Sequence, residues 1–169
     1  MTFLKCTHFT TLDEWVKASG MPESSDLMLQ IDIEGGEYPS IMNRSDPLIQ
    51  RFRIIIIEFH FLHYLWDKQF FDIIEKTFEK ILQAHICVHI HPNNYAQIDT
   101  RLGVQIPEAA EFTFLRKDRA TSTQDVTHFP HELDTDHAEH DKPLVLPPNW
   151  YHPNTPHKPF SHSMVKRCW

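Results

Sequence analysis

Four consecutive isoleucines, Ile54 to Ile57, set the strongest constraint on this fold. They sit in the stretch RFRIIIIEFH (51–60), where β-branched side chains favour extended backbone. An unbroken apolar run has no wet face, so the strand must be covered on both sides. The run is far short of the roughly 20 residues a membrane helix needs. The segment DKQFFDIIEKTFEKILQA (67–84) follows it. There Phe70, Phe71, Ile74, Phe78, Ile81 and Leu82 recur at helical spacing, and Asp67 is placed to cap the helix. HICVHIH (85–91) then reads as a strand closed by Pro92. Strand, helix, strand is a crossover unit, so 51–60 and 85–91 are expected to run parallel.

The flanking segments extend this pattern. Thr11 to Glu14 has the form of a capping box, which starts a short helix ending near Gly20. DLMLQIDI (26–33) reads as a further buried strand, broken by Gly35-Gly36, and a helical turn is expected over 37–43 with Pro39 in its first turn. AEFTFLRK (110–117) is a fourth strand, and 92–109 reads as a loop without a helix. The class is α/β, with a sheet of about four strands. Beyond residue 119 the composition changes. Seven of the twelve prolines and seven of the thirteen histidines lie from His128 onward, without helical or strand period. We therefore expect an α/β domain over 1–119 and an extended Pro/His-rich tail over 120–169, laid across the domain through Trp150, Tyr151 and Phe160. The irregular spacing of the tail histidines reads as a solvated segment rather than a metal site.

Composition narrows the functions. The formal charge of −7 argues against non-specific nucleic-acid binding. Cys6, Cys87 and Cys168 are odd in number and scattered, as in a reducing compartment, and no secretory h-region is visible near Met1. The expectation is a cytoplasmic protein without a membrane segment. In an open parallel sheet, ligands bind beyond the carboxyl ends of the strands. Asp32 and Glu34 close the first strand, Glu58 and His60 the second, and His89 and His91 the third, followed by Asn93 and Asn94. Residues two apart on a strand share a face, so Glu58 should pair with His60 and His89 with His91. Bland readings stand beside these. Asp32 could cap the next turn, Glu58 could pair with Arg51 or Arg53, and the histidines could be structural.

The stretches TTLDEWV and DLMLQIDIEGGEYPSI resemble the signature of FkbM-type methyltransferases. That pattern is a Thr-Leu-Asp helix, then a strand ending in Lys-hydrophobic-Asp-hydrophobic-Glu-Gly-x-Glu. It falls on Thr11 to Glu14 and on Gln30 to Glu37, with Gln30 in place of the lysine. IIIIEFH and HIHPNNY…IPEAAEFTFLRKD resemble later strands of the family, so the similarity covers about residues 9–118. The resemblance implies a Rossmann-like sheet whose last strand is antiparallel and inserted among the others. It implies S-adenosyl-L-methionine as methyl donor and a hydroxyl of a sugar, glycan or other small metabolite as acceptor. It makes Asp32, Glu34 and His60 catalytic, with Glu37, Glu58, His89, His91, Asn93 and Asn94 on the acceptor side and Gly35 and Gly36 toward the cofactor. Such enzymes carry a glycine-rich turn in their first crossover unit. No Gly-x-Gly occurs in this sequence. The expectation is thus a truncated C-terminal portion that does not bind the cofactor in the usual way. Two other readings remain open. One is a non-catalytic remnant that pairs with itself or a partner through the bare edge of strand 26–33. The other is a metal-dependent hydrolase built on Asp32, Glu58, His60, His89 and His91.

Overall fold

The computed structural model describes residues 11–95, 97–124, 126, 128–135, 144–147 and 150. Helix α1 (Leu12–Ala18) opens on the expected capping box: Glu14 N–H donates to Thr11 Oγ1, and Thr11 N–H donates to the Glu14 carboxylate. Strand β1 (Leu27–Ile31) leads into α2 (Glu37–Met42) and α3 (Asp46–Arg51). Strand β2 (Phe52–Phe59) is followed by a 3₁₀ turn (Leu62–Trp66), α4 (Lys68–Leu82) and β3 (His85–Pro92). A hairpin of β4 (Ile98–Arg101) and β5 (Val104–Pro107) precedes β6 (Ala110–Arg116).

The main sheet has the order β1-β2-β6-β3. β1 runs parallel to β2, and β6 lies between β2 and β3, antiparallel to both. β2 and β3 are therefore parallel, as the crossover requires, but the last strand separates them. This is the inserted antiparallel strand that the family resemblance implies. One face of the sheet packs on α4. Phe78 of that helix lies 4.9 Å from Phe59, 5.2 Å from Phe112 and 5.9 Å from Phe114 between ring centroids. Ile55, Ile57, Phe59 and Phe114 are completely buried. Asp67 caps α4 as expected, accepting from the backbone N–H of Gln69 and Phe70.

Several boundaries differ from the sequence reading. The first strand stops at Ile31, so Asp32 and Glu34 belong to the loop after it. The second strand starts at Phe52, because Ser45 caps α3 by accepting from Leu48 N–H, with Pro47 in the first turn. The segment 92–109 holds the β4–β5 hairpin, which turns on Leu102 and Gly103 at φ 53° and 80°. That pair matches the primed turns that suit hairpin twist, but leucine at the first position hides the signal. In β3 the pairing slips between Cys87 and His89, which oppose Phe114 and Thr113. This bulge changes the phase of the strand. Cys87 and Ile90 both point into the α4 side, while His89 and His91 turn to the opposite face with Glu58 and Glu111. Beyond β6, Phe129 and Leu146 are buried in the core, and the Trp150 indole N–H donates to Gln105 O. Tyr151 and Phe160 lie outside the described residues. Among the described residues no helix is long and apolar enough to cross a membrane.

Candidate active site

Where β1 and β2 end side by side, the chain turns sharply twice. After β1, Glu34 and Gly35 take positive φ, 54° and 97°. That left-handed turn folds the loop back, so that Glu37, the first residue of α2, meets the backbone it has just left. Glu37 Oε1 accepts from Ile33 N–H at 3.1 Å and from Gly35 N–H at 3.2 Å. The same oxygen stands 3.0 Å from His60 Nδ1. Glu37 is completely buried. Its Oε2 has no hydrogen-bond partner among the described residues.

This bonding assigns the imidazole. Oε1 acts as an acceptor toward two N–H groups, so Nδ1 must carry the proton that faces it. In the neutral ring the lone pair is then on Nε2. Nε2 lies 3.4 Å from Glu34 Oε2 and 3.8 Å from Asp32 Oδ1. The His60 side chain is only 12% exposed, against 59% for Asp32 and 84% for Glu34, so Nε2 is the atom that faces the rim. Burial lowers the proton affinity of His60. The hydrogen bond and charge of Glu37, with the charges of Glu58 and Glu34, outweigh it and raise the pKa above the usual histidine value. The arrangement is a carboxylate–imidazole pair: Glu37 orients the ring and stabilises the imidazolium, and Nε2 can take up a proton.

Other contacts fix the same corner. The Tyr38 hydroxyl donates to His60 O, and burial, reinforced by the Glu37 charge, pushes the phenol pKa up, keeping it a donor. Phe61 follows at φ 61°, its ring lying over Gly35: a Cβ built there would stand 2.3 Å from Phe61 Cε2. Asn93, beyond the end of β3, donates from Nδ2 to Glu58 Oε1 at 2.8 Å, while its own N–H is held by Ala109 O. Glu58 therefore pairs with Asn93, not with the Arg51 or Arg53 weighed from sequence. Asp32 does not cap the next helix, whose cap is Gly36 without a side-chain bond.

The structure thus gathers Asp32, Glu34, Glu37, Glu58, His60 and Asn93 into one constellation. The metal ligands weighed from sequence divide into two triples. Asp32, Glu58 and His60 form one, and His89 and His91 form another with Asp134. Glu37, read as facing the acceptor, lies buried beneath His60. Gly35, read as facing the cofactor, has its open side filled by Phe61. Asn94 is buried. Tyr38, Phe61 and Asp134 escaped the sequence reading. Tyr38 and Phe61 carry no sequence signal that links them to the site, and Asp134 stands in the Pro/His-rich region without a periodic signal.

A mixed α/β sheet whose last strand is antiparallel and inserted, with an acidic loop after the parallel edge strand, defines a methyltransferase-like fold. Over residues 9–139 the chain matches the family described as the methyltransferase FkbM domain, and it belongs to that family. No curated protein and no solved structure matches the chain.

Proposed function

We propose that these residues form the acceptor-activating part of an S-adenosylmethionine-dependent O-methyltransferase, with His60 as the general base. The observation that carries the reading is the His60–Glu37 pair. A hydroxyl is a poor nucleophile until its proton is removed as the carbon–oxygen bond forms. Neutral His60 Nε2 is placed to accept that proton at the rim. The buried Glu37 carboxylate then compensates the positive charge on the ring. Asp32 and Glu34, both exposed and near Nε2, orient the acceptor hydroxyl. The exposed ring of Phe61 lies 6.3 Å from the His60 ring, and the exposed ring of Tyr64 lies 6.3 Å beyond it. Such faces suit the C–H surface of a sugar ring, so a sugar or glycan hydroxyl is the acceptor class we favour.

The described residues do not fit the methyl donor itself. There is no Gly-x-Gly turn to cradle it, and the space above Gly35 belongs to Phe61. We therefore propose that the 169-residue chain does not bind S-adenosylmethionine at micromolar concentration by itself, which calorimetry tests directly. The base assignment is tested in the native polypeptide that contains these residues. His60→Gln and Asp32→Asn should each abolish methyl transfer while leaving the unfolding midpoint nearly unchanged. Variants that unfold readily, or that turn over normally, overturn the assignment.

One observation favours a second reading. Among the described residues β1 is an edge strand of five residues, and its Met28 is 60% exposed. An open edge recruits strands from other chains. A non-catalytic member of the family would use it to bind a partner or a second copy. Dimerisation that is lost on Met28→Lys, without any methyl transfer, would favour that role.

A further inference from the structure

We propose that His89, His91 and Asp134 form a binding site for a divalent first-row transition metal, separate from the His60 constellation. Three observations bring these residues together. The bulge at Val88 turns His89 and His91 to the sheet face that α4 does not cover, with their rings stacked at 22° and 6.4 Å. Asp134 comes from the segment 128–135, far along the chain, and puts one carboxylate oxygen against each ring. Oδ1 lies 2.8 Å from His89 Nε2 and Oδ2 lies 3.5 Å from His91 Nδ1. The carboxylate is also held in place, since Oδ2 accepts from His131 N–H at 2.9 Å and Asp134 N–H donates to His131 O at 3.0 Å.

The dimensions suit a metal. One ligand atom from each residue lies within 4.8 Å of the others. Ligands about 2.1 Å from a tetrahedral ion stand about 3.4 Å from one another. The two separations to Asp134 straddle that value, so small rotations bring the donors to an ion. The chemistry suits one too. Two neutral imidazoles and one carboxylate are donors of intermediate softness, matched to zinc, iron(II) or cobalt(II) rather than to magnesium or calcium. Three protein donors leave a coordination position for water or another ligand. The other triple is poorer in imidazole: Asp32, Glu58 and His60 offer one ring and two carboxylates, and Glu58 is already bonded to Asn93. His89, His91 and Asp134 are 29%, 12% and 10% exposed, enough for entry yet sheltered on one side by Phe129, which stacks on His89 at 11°.

The site has a structural consequence. β3 belongs to the sheet, and Asp134 to a segment that reaches it only after β6. A shared ion would fasten that segment across the sheet. The competing account is a metal-free link in which Asp134 simply hydrogen-bonds two histidines.

The test uses the full chain stripped of metal and titrated with Co²⁺, read by visible ligand-field absorption, with Zn²⁺ as competitor. The proposal expects one saturable equivalent displaced by Zn²⁺, with an unfolding midpoint that rises on loading. Loss of one donor in His89→Gln or Asp134→Asn should weaken binding by at least on the order of tenfold and remove the rise in midpoint. Asp32→Asn should leave the titration unchanged. Absence of a saturable equivalent in the unaltered chain overturns the proposal. So do variants of His89 and Asp134 that titrate as the unaltered chain does, or a loss confined to Asp32→Asn. The titration of the unaltered chain needs no variant to fold, and His89, the most exposed of the three, makes His89→Gln the mildest perturbation.

Discussion

Replacing Glu37 separates its role as the anchor of His60 from its role as a buried charge. Its Oε1 accepts from three donors, the Ile33 and Gly35 N–H groups and His60 Nδ1–H. Glu37→Ala leaves all three without this acceptor, and each buried unpaired donor costs about 1–3 kcal/mol. Partial relaxation, with water entering from the Glu34 side, trims the sum, and we expect a loss of about 3–5 kcal/mol. Glu37→Gln keeps an oxygen in the same place. It exchanges charge-assisted hydrogen bonds for neutral ones, at about 1 kcal/mol each. Against that stands a gain, because an amide is easier to bury than a carboxylate. Glu37 Oε2 is buried without a hydrogen-bond partner among the described residues, so this gain is real here. The balance should be a loss of about 1–2 kcal/mol for the glutamine. Equilibrium urea unfolding at about pH 6, where His60 is largely protonated given its raised pKa, measures both. A glutamine variant as stable as the parent, or an alanine variant no worse than the glutamine, refutes the view that this carboxylate holds the corner together.

The other expectations follow from the same geometry. The His60 pKa is raised in the folded state, so its contribution is fully present below the unfolded value of about 6.5 and is lost as pH rises through the folded value. His85, lowered mainly by burial, acts in the opposite sense and weakens the fold as pH falls below about 6.5. The difference in unfolding free energy between parent and Glu37→Gln across pH 5–9 isolates the His60 part, and a flat difference contradicts the assigned hydrogen bond. Gly35→Ala forces a left-handed backbone onto alanine and drives its Cβ into Phe61, at a cost of about 2–4 kcal/mol. Gly36→Ala keeps an ordinary φ but brings its Cβ to 2.9 Å from Ile33 Cδ1 and 3.3 Å from Ile33 O, so the exposed Ile33 side chain must shift, at a cost of about 1 kcal/mol and less than that of Gly35→Ala; equal thermal shifts for the two variants would contradict this reading. Phe78→Ala, emptying the contact of α4 with Phe59, Phe112 and Phe114, should lower stability by about 3–5 kcal/mol in urea unfolding.

The regular elements were legible because their signals are local. Four isoleucines in a row leave no alternative to a covered strand, and the phenylalanine and isoleucine spacing of 67–84 leaves none to an amphipathic helix. Thr11 and Asp67 cap the helices that their side-chain chemistry suits. What escaped was non-local or disguised. The Val88 bulge leaves no mark in HICVHIH, where simple alternation places Cys87 and His89 on one face. Burial of both Cys87 and Ile90 under α4 decides the phase instead, and only the paired strand reveals it. Asp134 could not be matched to His89 from sequence, since a carboxylate in a region rich in proline and histidine has no preferred partner until the chain folds.

The acidic loop itself was legible in content but not in division of labour. Sequence puts Asp32, Glu34 and Glu37 around a glycine pair and suggests that all three line a rim, Asp32 and Glu34 as catalytic groups and Glu37 on the acceptor side. The turn at Glu34 and Gly35 makes them unequal. By reversing the chain within two residues, it leaves Asp32 and Glu34 in solvent and drives Glu37 inward, onto the N–H groups of the turn itself. The turn and the carboxylate therefore stabilise each other. The carboxylate so fixed is the one that meets His60, 23 positions away. Gly35 is needed for its φ and because Phe61 occupies the space its side chain would fill; Gly36 has an ordinary φ and lies close only to Ile33, whose exposed side chain can move aside. The closure of the loop and the largest of the contributions that raise the proton affinity of His60 thus meet at one carboxylate, that of Glu37. Any change that loosens this turn should be felt first at the imidazole.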